Sequence, residues 1–331
     1  MAAFALAIYI GQDFYIHPAH AANEVIPNSS DSKSFANPRL LHTLKGHTGT
    51  VKSLTFSPNS KLLVSGGAEN EGIIYFWNLR NGKKVGTINR AHQTSVNAVL
   101  ITPDGKTLVS CGSDYKINLW NLRTLAFSRS FVEHTAQVLS LVASSDSKVL
   151  VSGGLDGIRL WDLPQQRPLA TLVRFDNEIY TLAISPDGQT LASGDNKGVV
   201  KLWNLSNGKL IQQLKAHSQL VTALAFTANG ERLVSSSRDK TIKIWDVKTG
   251  ETVYTLTGHN SWVNAIAVNP DGQTLASAGK DGIKLWDLTT GELKDTLNGH
   301  SDWVSAIAFS ADGKMLASGG FDDKINIWLA Q

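Results

Sequence analysis

The sequence predicts an all-β repeat fold: seven small antiparallel sheets, each of four short strands, packed radially. Two observations carry this. Trp77, Trp120, Trp161, Trp203, Trp245, Trp286 and Trp328 recur every 41–43 residues, each preceded by a serine, Ser65, Ser110, Ser152, Ser193, Ser235, Ser277 and Ser318. Between successive tryptophans the apolar residues alternate as in strands. A fixed period of this size is a repeat architecture, so the 331 residues are not two ordinary domains. One such sheet cannot bury both of its faces, whereas seven stacked radially can.

The chain opens on "AAFALAIYI", an apolar run too short to span a bilayer as a helix, so no transmembrane segment is expected. Ala19-His20-Ala21-Ala22 supplies a small-x-small cleavage site, and residues 1–22 read as a signal peptide despite lacking a basic start. Export is the expectation, to the periplasm if the source is bacterial, with the cytoplasm as the alternative. N-terminal sequencing of the mature chain checks this. Residues 23–38, "NEVIPNSSDSKSFANP", are polar and turn-rich and read as a linker; the repeats occupy 39–331.

The units lie near 46–90, 91–132, 133–173, 174–215, 216–257, 258–298 and 299–331. Six begin with a histidine 18 residues before the serine: His47, His92, His134, His217, His259 and His300; Phe175 holds that place in the fourth. Apolar residues follow at +4, +7 and +9, as in Val304, Ile307 and Phe309. The last step is strand alternation, and the step of three before it predicts a β-bulge at the strand entrance. Next come turns such as "SPDGQ", where Asp-Gly suits a tight hairpin. "TLASG" then reads as a second strand, "IKLWD" as a third and "KLIQQL" as a fourth.

The seventh unit ends three residues after Trp328 and has no fourth strand. Residues 39–45, "RLLHTLK", match the fourth-strand sequences "ETVYTLT" and "ELKDTLN" but have no preceding strands of their own. They are expected to pair beside Ile325–Trp328, closing the ring and removing two sheet edges. Deleting residues 1–45 should then destabilise the fold sharply, and deleting 1–36 should not.

Composition narrows function. A charged fraction of 18% and an apolar fraction of 42% fit a folded protein, and a net charge of +3 without basic blocks argues against nucleic acid as partner. Cys111 is the single cysteine, which excludes intramolecular disulfides and cysteine-built zinc sites; it reads as a small buried residue. Histidine, serine and aspartate recur together in His92, Ser110, Asp114; His217, Ser235, Asp239; and His300, Ser318, Asp322. Asp156 and Asp281 continue the pattern with a shortened turn, whereas the fourth unit has Lys197 in place of the aspartate, and Glu69 or Glu71 is the substitute in the first. A hydrolytic triad needs an exposed nucleophile and an oxyanion hole, and rarely recurs in step with a tryptophan. The sets are therefore read as structural. No histidine remains for a metal or general base, Asp195 reads as a turn residue, and no cofactor is expected.

Recurring Gly-His, at 46–47, 258–259 and 299–300, and Trp-Asp, at 161–162, 245–246 and 286–287, resemble the WD40 β-propeller family over residues 39–331. The resemblance implies a seven-bladed propeller. It also implies buried tetrads in which Trp120, Trp245 and Trp328 bond in series with the serine, histidine and aspartate of their units. The implied function is a noncatalytic scaffold that binds a protein or peptide, with a propeller enzyme or small-ligand binder using the central channel mouth as alternative. In the family, positions +3 and +5 from the histidine, and the one before the aspartate, resemble those that line one face. Among these, Leu220, Arg238, Trp262, Lys280, Trp303 and Phe321 concentrate large apolar and basic side chains in the last three units. They are the expected contacts for an acidic peptide with an apolar anchor.

Overall fold

The computed structural model describes residues 35–67, 72–174 and 178–331. The signal-peptide reading, most of the linker, Ala68, Glu69, Glu71 and Phe175 lie outside the described residues.

Strands are numbered in chain order. In the first blade β2 (Val51–Phe56), β3 (Leu62–Gly67), β4 (Ile74–Asn78) and β5 (Lys83–Ile88) pair consecutively and antiparallel. Five further blades repeat this plan. The seventh is β26 (Val304–Phe309), β27 (Met315–Gly320) and β28 (Lys324–Leu329), completed by β1 (Arg39–Lys45) beside β28. Thr43 stands opposite Asn326 and Lys45 opposite Lys324. The first strand of each blade packs against that of the next, and β26 against β2, so the ring closes as expected.

The bulge is present in six blades, between Val51 and Ser53, for example, and between Val304 and Ala306. It turns the +4 and +7 side chains to the same side: Val51 and Leu54 are both buried. In the sixth blade β22 (Ala265–Val268) begins beyond that point. The Asp-Gly turns differ from a two-residue hairpin. Ser185 N–H donates to Thr190 O across five residues, and the Ser185 hydroxyl donates to Asp187 Oδ1 at 2.5 Å. The aspartate thus caps its own turn, and Gly188 takes the positive φ of +72° that the chain reversal requires.

There is no single core. Seven apolar clusters fill the seven interfaces between neighbouring blades. One joins Leu44, Ile325 and Ile327 of the last blade to Val51, Leu63 and Trp77 of the first. Each blade is therefore stabilised by both neighbours, the nearest-neighbour logic of repeat folds. Cys111 lies fully buried in the cluster between the second and third blades, where burial pushes its thiol far above the ordinary range.

Phe35 corrects the linker reading at its C-terminal end. It is 3% exposed, packs edge-on against Phe309 at 5.1 Å and belongs to the cluster between the sixth and seventh blades. Gln331 N–H donates to Ala36 O at 3.2 Å, so the chain is held to the propeller before β1 begins.

Candidate functional site

The tetrads form as expected. In the second blade Trp120 Nε1–H donates to Ser110 Oγ at 3.0 Å, Ser110 Oγ lies 2.9 Å from His92 Nε2, and His92 Nδ1 lies 2.8 Å from Asp114 Oδ1. The fifth blade repeats the series through Trp245, Ser235, His217 and Asp239, and the seventh through Trp328, Ser318, His300 and Asp322. Asp281 completes the sixth. Because the serine oxygen accepts the indole proton, its hydroxyl donates to Nε2, which leaves Nδ1–H to donate to the aspartate. Ser110, Ser235 and Ser318 are fully buried. A serine enclosed this way cannot reach a substrate carbonyl, so these sets are not hydrolytic triads.

Burial opposes the charge on Asp114, Asp239, Asp281 and Asp322. Hydrogen bonds from histidine, from Thr241 in the fifth blade and from backbone N–H groups override it and hold these carboxyls below 3.8. Burial lowers His134, His217 and His259 below 6.5, and their aspartates offset this only in part. Between the folded and unfolded values of these histidines the unfolded chain binds more protons, so stability falls as pH drops through about 6.5. The carboxylates add a second loss below about 3.8. The melting temperature should fall by a few degrees between roughly pH 7.5 and 5.5. A melting temperature that holds or rises over that range would refute the assignment of neutral buried histidines.

Two blades depart from the pattern. In the first, His47 bonds Ser65 at 2.8 Å and packs edge-on against Tyr75. In the fourth, Trp203 bonds Ser193 at 2.9 Å, and Asp195 Oδ1 accepts the N–H groups of Lys197 and Val199, the turn role expected of it. The third blade holds a residue that motif reading missed. Arg159, 4% exposed, places one η nitrogen 2.6 Å from His134 Nδ1 and the other 2.9 Å from Asp156 Oδ2. With Thr135 N–H, His134 and Arg159 around it, Asp156 is held at about 2 in spite of its burial. The signal was available: the residue two before each tryptophan is arginine only here.

Four of the six expected docking residues, Arg238, Trp262, Trp303 and Lys280, bring their side chains together, and Leu220 and Phe321 join them through the backbone. Within a blade, the +3 carbonyl accepts from the residue before the aspartate: Leu220 O from Arg238 N–H at 3.1 Å, and Trp303 O from Phe321 N–H at 2.8 Å. Between blades the side chains stack. The Arg238 guanidinium lies 4.6 Å over the Trp262 ring, Trp262 meets Trp303 at 5.4 Å, and Lys280 Nζ lies 5.8 Å over Trp303. Trp262 is 42% and Phe321 47% exposed. The two rings meet at the centre, with a cation over each.

Four +5 residues reach into the next blade. Asn97, Thr222, Asn264 and Ser305 donate to the carbonyls of Val138, Val263, Val304 and Val51, each in the following blade. These bonds latch one blade to the next, and the last spans the closure. At the corresponding positions of the second and fourth blades the side chains are polar and bond one another. Ser95 bonds Ser113 at 2.6 Å, and Glu178 accepts from Tyr180 Oη–H at 3.3 Å and Asn196 Nδ2–H at 3.1 Å. Burial and Glu178 raise the Tyr180 phenol, against the opposing field of Arg238. Among the described residues no group of three or more His, Cys, Asp or Glu side chains is placed to hold a metal ion.

The family model described as the WDHD1 first WD40 domain matches residues 89–331, and that for the WD domain, G-beta repeat, matches 38–78. Among curated proteins, the guanine nucleotide-binding protein subunit beta of Oryza sativa subsp. japonica is 31% identical over 173 residues, 48% of this chain and 46% of its own length. Pre-mRNA-processing factor 19 of the same rice is 26% identical over 48% of this chain and 30% of its own. Apoptotic protease-activating factor 1 of Rattus norvegicus is 29% identical over 50% and 13%. The matches span less than half the length of these relatives.

Proposed function

The chain belongs to the WD40 repeat family, whose propellers typically serve as protein-interaction scaffolds, and from that premise we propose that its docking face is the arc from Leu220 to Phe321. The observation that carries this is the half-exposed Arg238–Trp262–Trp303–Lys280 stack. Aromatic and arginine side chains held rigid before binding lose little entropy on contact and are the types that dominate interface energetics. The partner is a peptide segment with an apolar anchor seated between Trp262 and Phe321 and acidic residues over Arg238 and Lys280. Glu178 marks the limit of favourable acidic contact on the fourth-blade side. Asp302 turns a carboxylate oxygen back onto Trp303 N–H at 2.8 Å.

The test uses defined peptides: a leucine or phenylalanine flanked by aspartates and glutamates, against the same peptides with lysines. The acidic set should bind more tightly. Trp262→Ala with Trp303→Ala should weaken it at least tenfold, about 1.4 kcal/mol, with melting nearly unchanged. Arg238→Glu with Lys280→Glu should reverse the charge preference. Equal binding of both sets, or acidic binding that survives both double changes, would place the docking face elsewhere.

A further inference from the structure

The residue two before the tryptophan occupies the same place in every blade, on the third strand opposite a residue of the fourth. In six blades the place is filled or bonded. Tyr75 packs on His47 and Trp77, Arg159 pairs with Asp156, and Lys201 and Lys243 lie over Trp203 and Trp245. Lys284 reaches Asp281 at 3.7 Å, and Asn326 Oδ1 accepts the Thr43 hydroxyl at 2.8 Å. The second blade is different. Its pair is Asn118 on β8 (Ile117–Asn121) opposite Ser130 on β9 (Phe127–Phe131); it differs from the Asn326–Thr43 pair in having serine for threonine, and the two side chains do not bond each other.

Asn118 is 7% exposed, and its Nδ2 donates to Ala91 O at 2.7 Å, which fixes the amide orientation. Its Oδ1 and Ser130 Oγ are both buried and have no partner. Both residues line an open cleft of about 780 Å³ between the first and second blades. Trp120 and Phe127, edge to face at 5.4 Å, form the apolar wall, and Arg90 and Lys116 also line the cleft. Asp114, also on the lining, is committed to His92.

We propose that this cleft binds a hydroxyaryl group bearing a nearby carboxylate. With the Ser130 side chain turned toward the cleft to open the site, the hydroxyl donates to Asn118 Oδ1 and accepts from Ser130 Oγ–H, satisfying both orphaned atoms. The ring packs on Trp120 and Phe127, and the carboxylate meets Arg90 and Lys116. Such a group is presented by a free phenolic acid or by a tyrosine flanked by acidic residues in a peptide. The site does not depend on the Trp262–Trp303 face.

Titration of the full chain with 3-(4-hydroxyphenyl)propionate and with the capped tripeptide Glu-Tyr-Glu, followed by calorimetry, tests this. Saturable binding of at least one probe is expected, the tighter one identifying the source. The matched phenyl compounds, 3-phenylpropionate and Glu-Phe-Glu, should bind at least tenfold more weakly. Asn118→Arg copies the third blade's own solution, with Asp114 in the role of Asp156, and should abolish binding. Ser130→Thr copies the Thr43–Asn326 pair and should weaken it, which keeps the test informative if the arginine variant misfolds. Absence of saturable binding by both probes, equal binding of the phenyl compounds, or binding unchanged in the folded variants would overturn the proposal.

Discussion

A chain beginning at Gly46 should melt far below one beginning at Phe35, and should self-associate. The truncation removes β1, and with it Leu44, 3% exposed, and the Thr43 bond to Asn326. It also uncovers Ile325 and Ile327, both fully buried in the intact ring. Loss of a buried leucine alone costs about 2–5 kcal/mol. The bared edge of β28 then offers unpaired backbone groups to a second copy. Phe35 refines the expectation that deletion up to residue 36 is harmless. A chain beginning at Pro38 keeps β1 but loses the Phe35–Phe309 contact, and should melt between the other two. Thermal denaturation and size-exclusion chromatography of the three chains decide the matter. Identical melting of all three would mean that closure by β1 contributes nothing measurable.

The closure was legible because it rests on a mismatch of phase: a fourth-strand sequence at 39–45 and a unit lacking one after Trp328. The tetrads were legible for a related reason, since histidine, serine and aspartate keep fixed offsets in the blades that have them. Strand register converts such offsets into contacts. What escaped depends on positions that vary from blade to blade. Arg159, Asn118 and Lys284 hold one place in the repeat, yet one is a buried ion, one an orphaned amide and one a partner for its own aspartate. Only the neighbouring side chains decide which. Phe35 was hidden among Asn, Ser and Pro, where a single aromatic residue carries no periodicity. The arc from Leu220 to Phe321 stands between these cases. Its residues were picked by positions that the family resemblance implies, but the contact of the Arg238, Trp262, Trp303 and Lys280 side chains needs the angle between blades. The +5 residues show the limit of that resemblance, which put them on the face, whereas the hydrogen bonds of Asn97, Thr222, Asn264 and Ser305 tie neighbouring blades together.

Asp156→Ala should destabilise the protein more than Asp239→Ala, although both remove the same tetrad member. In the fifth blade the loss leaves His217 Nδ1 without its carboxylate, and Thr241 Oγ1 at 3.1 Å remains as a partial replacement. Lys243 there is only partly buried and can turn its ammonium toward water. A cost of about 1–3 kcal/mol is expected, that of unsatisfied buried polar groups. In the third blade the same change strands a guanidinium. The Arg159 and Asp156 side chains are 5% and 1% exposed, and no solvent path offsets the lost carboxylate. Breaking a buried pair from one side costs about 3–5 kcal/mol, because the remaining charge is uncompensated. Adding Arg159→Met to Asp156→Ala removes that charge, and should recover a substantial part of the stability. Denaturant midpoints of the two single variants, the double variant and Arg159→Met alone complete the cycle. Equal losses in the two blades, or a double variant no more stable than Asp156→Ala, would show that Arg159 is not held by its carboxylate and that the third tetrad is no different from the fifth.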